Sequence, residues 1–238
     1  MAYNRETFIE KIKLRTKPMY QDGCVNYVGF TTDTNEKYTE IIAEQLLADI
    51  EKYESSIHKI KRENSYKVKS HKWRPYDPDD TSIKRKEERL AQSMFGRKFG
   101  ELEILDYQIP LKNARTEENK GLGKIDLLAW DGNCLIILEL KKPDSTETLL
   151  RCVLEAYTYW KTVDHKKLAQ DFGHTGAPVR AASLVFANSQ QHKDWLCKKQ
   201  PHIKKLMKQL GVKLYVMDND TDLKIFNKDG GRDQPTCV

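Results

Sequence analysis

No stretch of the chain approaches the ~18 consecutive apolar residues that a membrane-spanning helix needs, and the first residues, MAYNRETFIEKIKL, hold no apolar core of signal-peptide length. A soluble, cytoplasmic protein with no membrane partner is expected. Cysteine is sparse and unpatterned. Cys24, Cys134, Cys152, Cys197 and Cys237 make an odd number, with no C-x-x-C pair and no Cys/His ligand spacing, which disfavours both a disulfide framework and a structural zinc site. Neither sign of charge dominates: 41 Lys and Arg stand against 35 Asp and Glu, a net +6. That permits a polyanionic partner without requiring one.

What is present can fold. Hydrophobic residues make up 39% of 238, enough to fill the core of one large domain or of a domain with an appendage. Ile42, Leu46, Ile50, Tyr53, Ile57 and Ile60 recur at steps of three and four, which predicts one long amphipathic helix between Tyr38 and Ile60. After it, HKIKRENSYKVKSHKWRPYDPDDTS reads as an exposed basic connector. A second helix is expected from Thr81 or Ser82 to about Lys98. Strands are expected at LEILDYQIPL and in both arms of GKIDLLAWDGNCLIILELKKP. A helix follows over about 145 to 163, opened by an Asp144/Glu147 capping box, then strand VRAASLVFA, a helix over 190 to 210, and strands VKLYVMD and LKIFNK. The alternation predicts a mixed sheet with helices on its faces.

The hairpin segment carries charges where a core strand should have none. Asp131-Gly132 between two apolar runs predicts a two-residue type I′ turn. Asp126 would then oppose Ile137 and share a sheet face with Glu139 and Lys141. A four-residue loop keeps that parity, whereas a plain three-residue loop destroys it. Two carboxylates converging beside a lysine on a half-buried surface repel each other, and a hard divalent cation such as Mg²⁺, with Mn²⁺ substituting, resolves the conflict. Lys141 could then orient or help deprotonate an attacking water and stabilise charge on phosphorus. Glu-x-Lys alone is weak: Glu118-Asn119-Lys120 repeats it in a polar loop.

In GKIDLLAW and LIILELKK the chain resembles the PD-(D/E)xK nuclease superfamily, over roughly residues 83 to 190, with Ile125 at the eponymous proline. The resemblance implies an α/β, restriction-endonuclease-like αβα core with a central mixed sheet, here over 81–238, after an N-terminal helical extension and connector over 1–80. It implies that Asp126 and Glu139 are metal ligands, joined by the Leu140 carbonyl, and that Lys141 is the catalytic lysine. The family adds an acidic residue from the helix before the sheet. Glu87 sits within about 40° of the middle of the Ile83, Leu90, Met94 stripe, at ~100° per residue, and is preferred over Glu88. Glu155 and Tyr159 resemble the family's Gln-x-x-x-Tyr pattern, although Glu155 falls on the polar side of its helix. Lys142 is expected on a phosphate. Lys67, Lys69, Lys72 and Trp73 of the connector are expected on nucleic acid.

The expectation is therefore a Mg²⁺-dependent nuclease, most readily a DNA endonuclease of restriction, defence or repair type, attacking in line and leaving 5′-phosphate and 3′-hydroxyl ends. A homodimer is a further expectation. The alternatives are a non-catalytic nucleic-acid-binding or regulatory protein that keeps the fold, and a ribonuclease.

Overall fold

The computed structural model describes residues 2–15, 19–77, 79–80, 82, 84–112 and 123–218, together with the backbone of 225–227. Thr81, Ile83, the Glu118-Asn119-Lys120 copy and Cys237 lie outside the described residues. The N-terminal part contains α1 (Arg5–Lys13), α2 (Tyr38–Ala48) and α3 (Ile50–Ser55). The single long helix expected here breaks at Asp49, whose backbone leaves the helical region at φ −141° and ψ 57°. Ile57 and Ile60 continue the spacing but not the helix. α4 (Lys86–Met94) follows, starting later than expected.

Next come β1 (Lys98–Phe99), β2 (Leu102–Pro110), β3 (Lys124–Trp130), β4 (Leu135–Leu140), α5 (Leu149–Thr162), α6 (His165–Asp171) and β5 (Val179–Phe186). The chain then adds α7 (Gln190–Leu196), α8 (Pro201–Leu210), β6 (Lys213–Met217) and β7 (Ile225–Asn227). The strands lie in sequence order in one mixed sheet. Neighbours from β1 to β4 are antiparallel, β5 and β6 run parallel to β4, and β7 is antiparallel to β6. β4 is buried at every position, as expected of a strand covered on both faces.

Three local expectations are corrected. The α5 cap is Thr148, whose side chain accepts from Arg151 N–H. Asp144 and Glu147 are engaged elsewhere, by Lys142 and Lys141. The helix expected over 190 to 210 is two helices, because Pro201 opens α8 and cannot donate a continuing helical hydrogen bond. α6 was not anticipated. Asp164 caps it by accepting from Lys167 N–H.

Alternation along β5 defines the layers. Ala182 and Leu184 pack with Leu90, Ala91 and Met94 of α4. Ala181 and Val185 face the other way, into a core shared by α5, α8, α1 and α2. The N-terminal segment is thus built into this packing rather than appended to it. A buried charge ties two helices of that core together: Glu40 on α2 accepts from the His202 and Ile203 N–H groups at 2.8 and 2.9 Å, at the first turn of α8. A carboxylate there satisfies otherwise orphaned donors and meets the positive end of the helix dipole.

Candidate active site

The hairpin that carries Asp126 and Glu139 closes differently from the expected turn. Asp131 Oδ1 accepts from the N–H groups of Asn133 and Cys134, at 2.9 and 2.7 Å, and Gly132 adopts φ +91°. An Asx turn, with one backbone bond from Asp131 N–H to the Cys134 carbonyl at 3.3 Å, stands in place of the type I′ turn expected at Asp131-Gly132. The loop has four residues, since Trp130 pairs with Leu135 and Leu127 with Leu138. Continuing that register sets Asp126 directly opposite Glu139, so the two share a face.

At the end of these strands lies a cleft of about 700 Å³, lined by Asp126, Glu139, Lys141, Lys142, Glu87, Glu155 and Tyr159 among others. The Lys141 ammonium lies between three carboxylates: Glu139 at 2.8 Å, Glu155 at 2.9 Å and Glu147 at 2.7 Å. Arg151 in turn holds Glu155 at 2.6 Å. Asp126 Oδ1 accepts from Gln108 Nε2 at 2.8 Å, and Oδ2 from Leu140 N–H at 3.0 Å. Glu87 accepts from Lys142 N–H at 3.3 Å, whereas Glu88 turns to Arg85. Tyr159 packs so closely on Gly123 that a Cβ there would lie 2.2 Å from its hydroxyl oxygen. Any larger residue there would displace the Tyr159 ring.

The electrostatics follow from burial and proximity. Burial pushes Asp126 up, with Glu87 and Glu155 adding to the rise against the pull of Lys141. Burial and the facing Asp126 hold Glu139 well above the carboxylate range. Glu87 is raised by burial, partly offset by Lys141 and the Lys142 N–H. Burial alone would lower Lys141, but Glu139 and Glu155 outweigh it and keep the ammonium protonated. Burial would raise Glu155, yet Lys141, the Glu139 carboxyl and Arg151 bring it down.

Glu139 Oε2 is buried and finds no hydrogen-bond donor among the described residues. Ionised, a carboxylate with an oxygen in that state is costly to bury unless a cation approaches it, and without one the Glu139 carboxyl keeps a proton that it shares with Glu155. Among the described residues no group of three or more His, Cys, Asp or Glu side chains is arranged to hold a metal ion by itself. Mg²⁺ does not demand one, because it commonly takes one or two carboxylates and keeps the rest of its shell for water and phosphate. The pair Asp126 and Glu139, with its orphaned oxygen, fits that requirement.

The sequence-predicted residues divide into two groups. Asp126, Glu139, Lys141, Glu87, Lys142, Glu155 and Tyr159 meet in the cleft, whereas Leu140 does not line it and bears on it only by donating its N–H to Asp126. Lys67, Lys69, Lys72 and Trp73 do not line it. They belong to a connector that is pinned rather than loose: Arg62 bonds the carbonyls of Ser65 and Lys112, Tyr66 is wholly buried, and His71 contacts Asp106 at 2.5 Å. Trp73 donates its indole N–H to the Ser93 carbonyl at 2.9 Å while remaining half exposed.

Sequence reasoning missed Gln108, Glu147 and the basic rim of Lys84, Arg85, Lys86 and Lys124. Only the rim carried a signal, the KRK run that leads into α4. Comparison with protein-family models, with curated proteins and with solved structures returned no match.

Proposed function

We propose that this protein is a Mg²⁺-dependent nuclease acting on DNA, with Asp126 and Glu139 holding the cation and Lys141 beside them. One observation carries this reading. Two buried, mutually repelling carboxylates on adjacent strands share a basic-rimmed cleft with a lysine, and one carboxylate oxygen has no donor. As a purely structural arrangement it would be a poor one.

When bound, Mg²⁺ would supply Lewis-acid polarisation of the phosphoryl group and a shift in the acidity of water. The chain's own residues do the rest. Lys84, Lys124 and Lys142 give the backbone phosphates a positive rim. Lys141, kept protonated by its neighbours, stabilises negative charge developing on the phosphoryl oxygens rather than abstracting a proton. Glu155, steadied by Arg151, fixes the direction of the ammonium. Glu87, held by the Lys142 N–H, adds a further carboxyl to the cleft.

A second reading, a non-catalytic nucleic-acid-binding protein, draws support from the same lysine. Three carboxylates already satisfy it, so the cluster can persist without metal. Incubation with supercoiled plasmid, linear duplex, single-stranded DNA and RNA, each with Mg²⁺, Mn²⁺ or EDTA, tests the two. Metal-dependent cutting of DNA is expected. Tight duplex binding with no cutting under any metal would favour the second reading, and cutting of RNA alone would make the protein a ribonuclease.

A further inference from the structure

Three non-glycine residues have positive φ among the described residues. Asn35 and Asn188 lie in connections, where asparagine tolerates the left-handed region. The third, Gln108, has φ +46° within β2. It follows a register shift between Ile104 and Asp106, where β2 gains a residue against β3. Bulges of this kind re-aim a side chain and are common beside functional sites. Strained non-glycine backbone concentrates there too.

The register shows what is re-aimed. Beyond the bulge Tyr107 pairs with Leu127 and Ile109 with Ile125, so Gln108 falls opposite Asp126. Gln108, Asp126 and Glu139 form a row across three strands. The amide closes the first step of that row, with Nε2 donating to Asp126 Oδ1 at 2.8 Å. A carboxylate is acceptor-only, so the NH₂ end of the amide is the end that suits it. Leu140 N–H holds the other oxygen at 3.0 Å, and the carboxylate is clamped at both ends. Of the two clamps only Gln108 is a side chain. Glycine would meet the backbone requirement at 108 without strain but would leave Oδ1 unheld.

We infer that Gln108 is a positioning residue for Asp126: its amide, delivered by the bulge and the left-handed backbone, locks the carboxylate in the orientation that faces Glu139. The inference rests on the nuclease reading, in which Asp126 holds the cation. Outer hydrogen-bond partners of this kind typically govern metal affinity or activity by 10- to 100-fold, roughly.

Gln108→Gly removes both the amide and the strain, Gln108→Ala removes the amide and keeps the strain, and Asp126→Ala serves as control. The readouts are melting temperature in EDTA, Mn²⁺ binding to the protein without DNA by electron paramagnetic resonance titration, and kcat and KM on a duplex. For Gln108→Gly the expected result is a melting temperature in EDTA at or above wild type and Mn²⁺ binding weakened about 10-fold. Its kcat should fall comparably, with little change in KM. A merely structural Gln108 would lower the melting temperature in both variants and leave Mn²⁺ affinity unchanged, which overturns the inference. If Asp126→Ala loses Mn²⁺ while Gln108→Gly binds it normally, positioning fails and the nuclease reading stands. If Asp126→Ala binds Mn²⁺ as well as wild type, the assignment of Asp126 falls and this inference falls with it.

Discussion

Among the described residues, buried carboxylates in two regions of the chain are treated in opposite ways. Near the N-terminus Asp22 accepts from Arg15 and from Cys24 N–H at 2.9 Å. Burial would raise its pKa, but Arg15 and the Cys24 N–H outweigh it and the carboxyl sits below its usual range. Glu40 likewise meets two backbone donors and the His202 ring. In the cleft, Asp126 and Glu139 confront each other, both are raised, and Glu139 keeps an oxygen without a donor. The buried carboxylates of the first region are each held by donors that favour the charge, as expected of a structural role. In the second the buried charge is left unresolved, the mark of a site shaped for something other than stability.

The sharpest way to break this comparison is catalytic. Asp126→Ala, Glu139→Ala and Lys141→Ala are each expected to lower duplex cleavage by roughly 10²–10³-fold or more, because no neighbouring group replaces them. Glu118→Ala and Lys120→Ala should cut as wild type does. Equal activity in all five variants would dissolve the distinction.

The reverse holds for Glu40. Glu40→Ala strands two N–H groups at the start of α8, and a loss of about 1–3 kcal/mol is expected, with a lower denaturation midpoint and an unchanged response to Mg²⁺. A melting curve identical to wild type would show that these donors find other partners.

Much of the site was legible because strand parity is robust. Asp126, Glu139 and Lys141 share a face whether the loop has two residues or four, so misreading the turn at Asp131 cost nothing. The helices were less legible. Glu155 falls on the polar side of α5, with Thr158 and Thr162, yet all three are buried. α5 is covered on nearly every side, and amphipathic reasoning assumes one solvent face. The connector failed similarly, since the groups that pin it, Asp106, Lys112 and Asp171, come from distant sequence. Gln108 was invisible because no local pattern announces a bulge.

A smaller effect separates the cleft's basic rim from the connector. Neutralising Lys84 and Lys124 should flatten the dependence of log duplex affinity on log salt by up to ~0.9 for each phosphate that is no longer neutralised. Neutralising Lys67, Lys69 and Lys72, which lie outside the cleft, should flatten it less. A larger change from the connector set would move the nucleic-acid path out of the cleft.

The subtlest contrast is one of sign. Asp22 is lowered in the folded state, so its stabilisation is present above the unfolded carboxylate pKa, near ~4, and is lost as pH falls through the lower folded value. Asp22→Asn should therefore be less stable than wild type at neutral pH, with the gap closing in acid. Asp126 is raised. Its contribution is fully present below the unfolded pKa and is lost as pH rises through the folded one. In EDTA, Asp126→Asn, which never acquires the charge, should match or exceed wild type at neutral pH. Its advantage should shrink toward ~4, where both side chains are neutral. Lys141 and the Leu140 N–H favour the charged form and reduce the size of this effect, but they do not reverse the direction set by burial and by Glu87 and Glu155. Chemical denaturation of wild type and both variants from pH 4 to 8 in EDTA measures the two differences. Parallel pH trends for the two substitutions would mean that the chain buries its carboxylates in only one way.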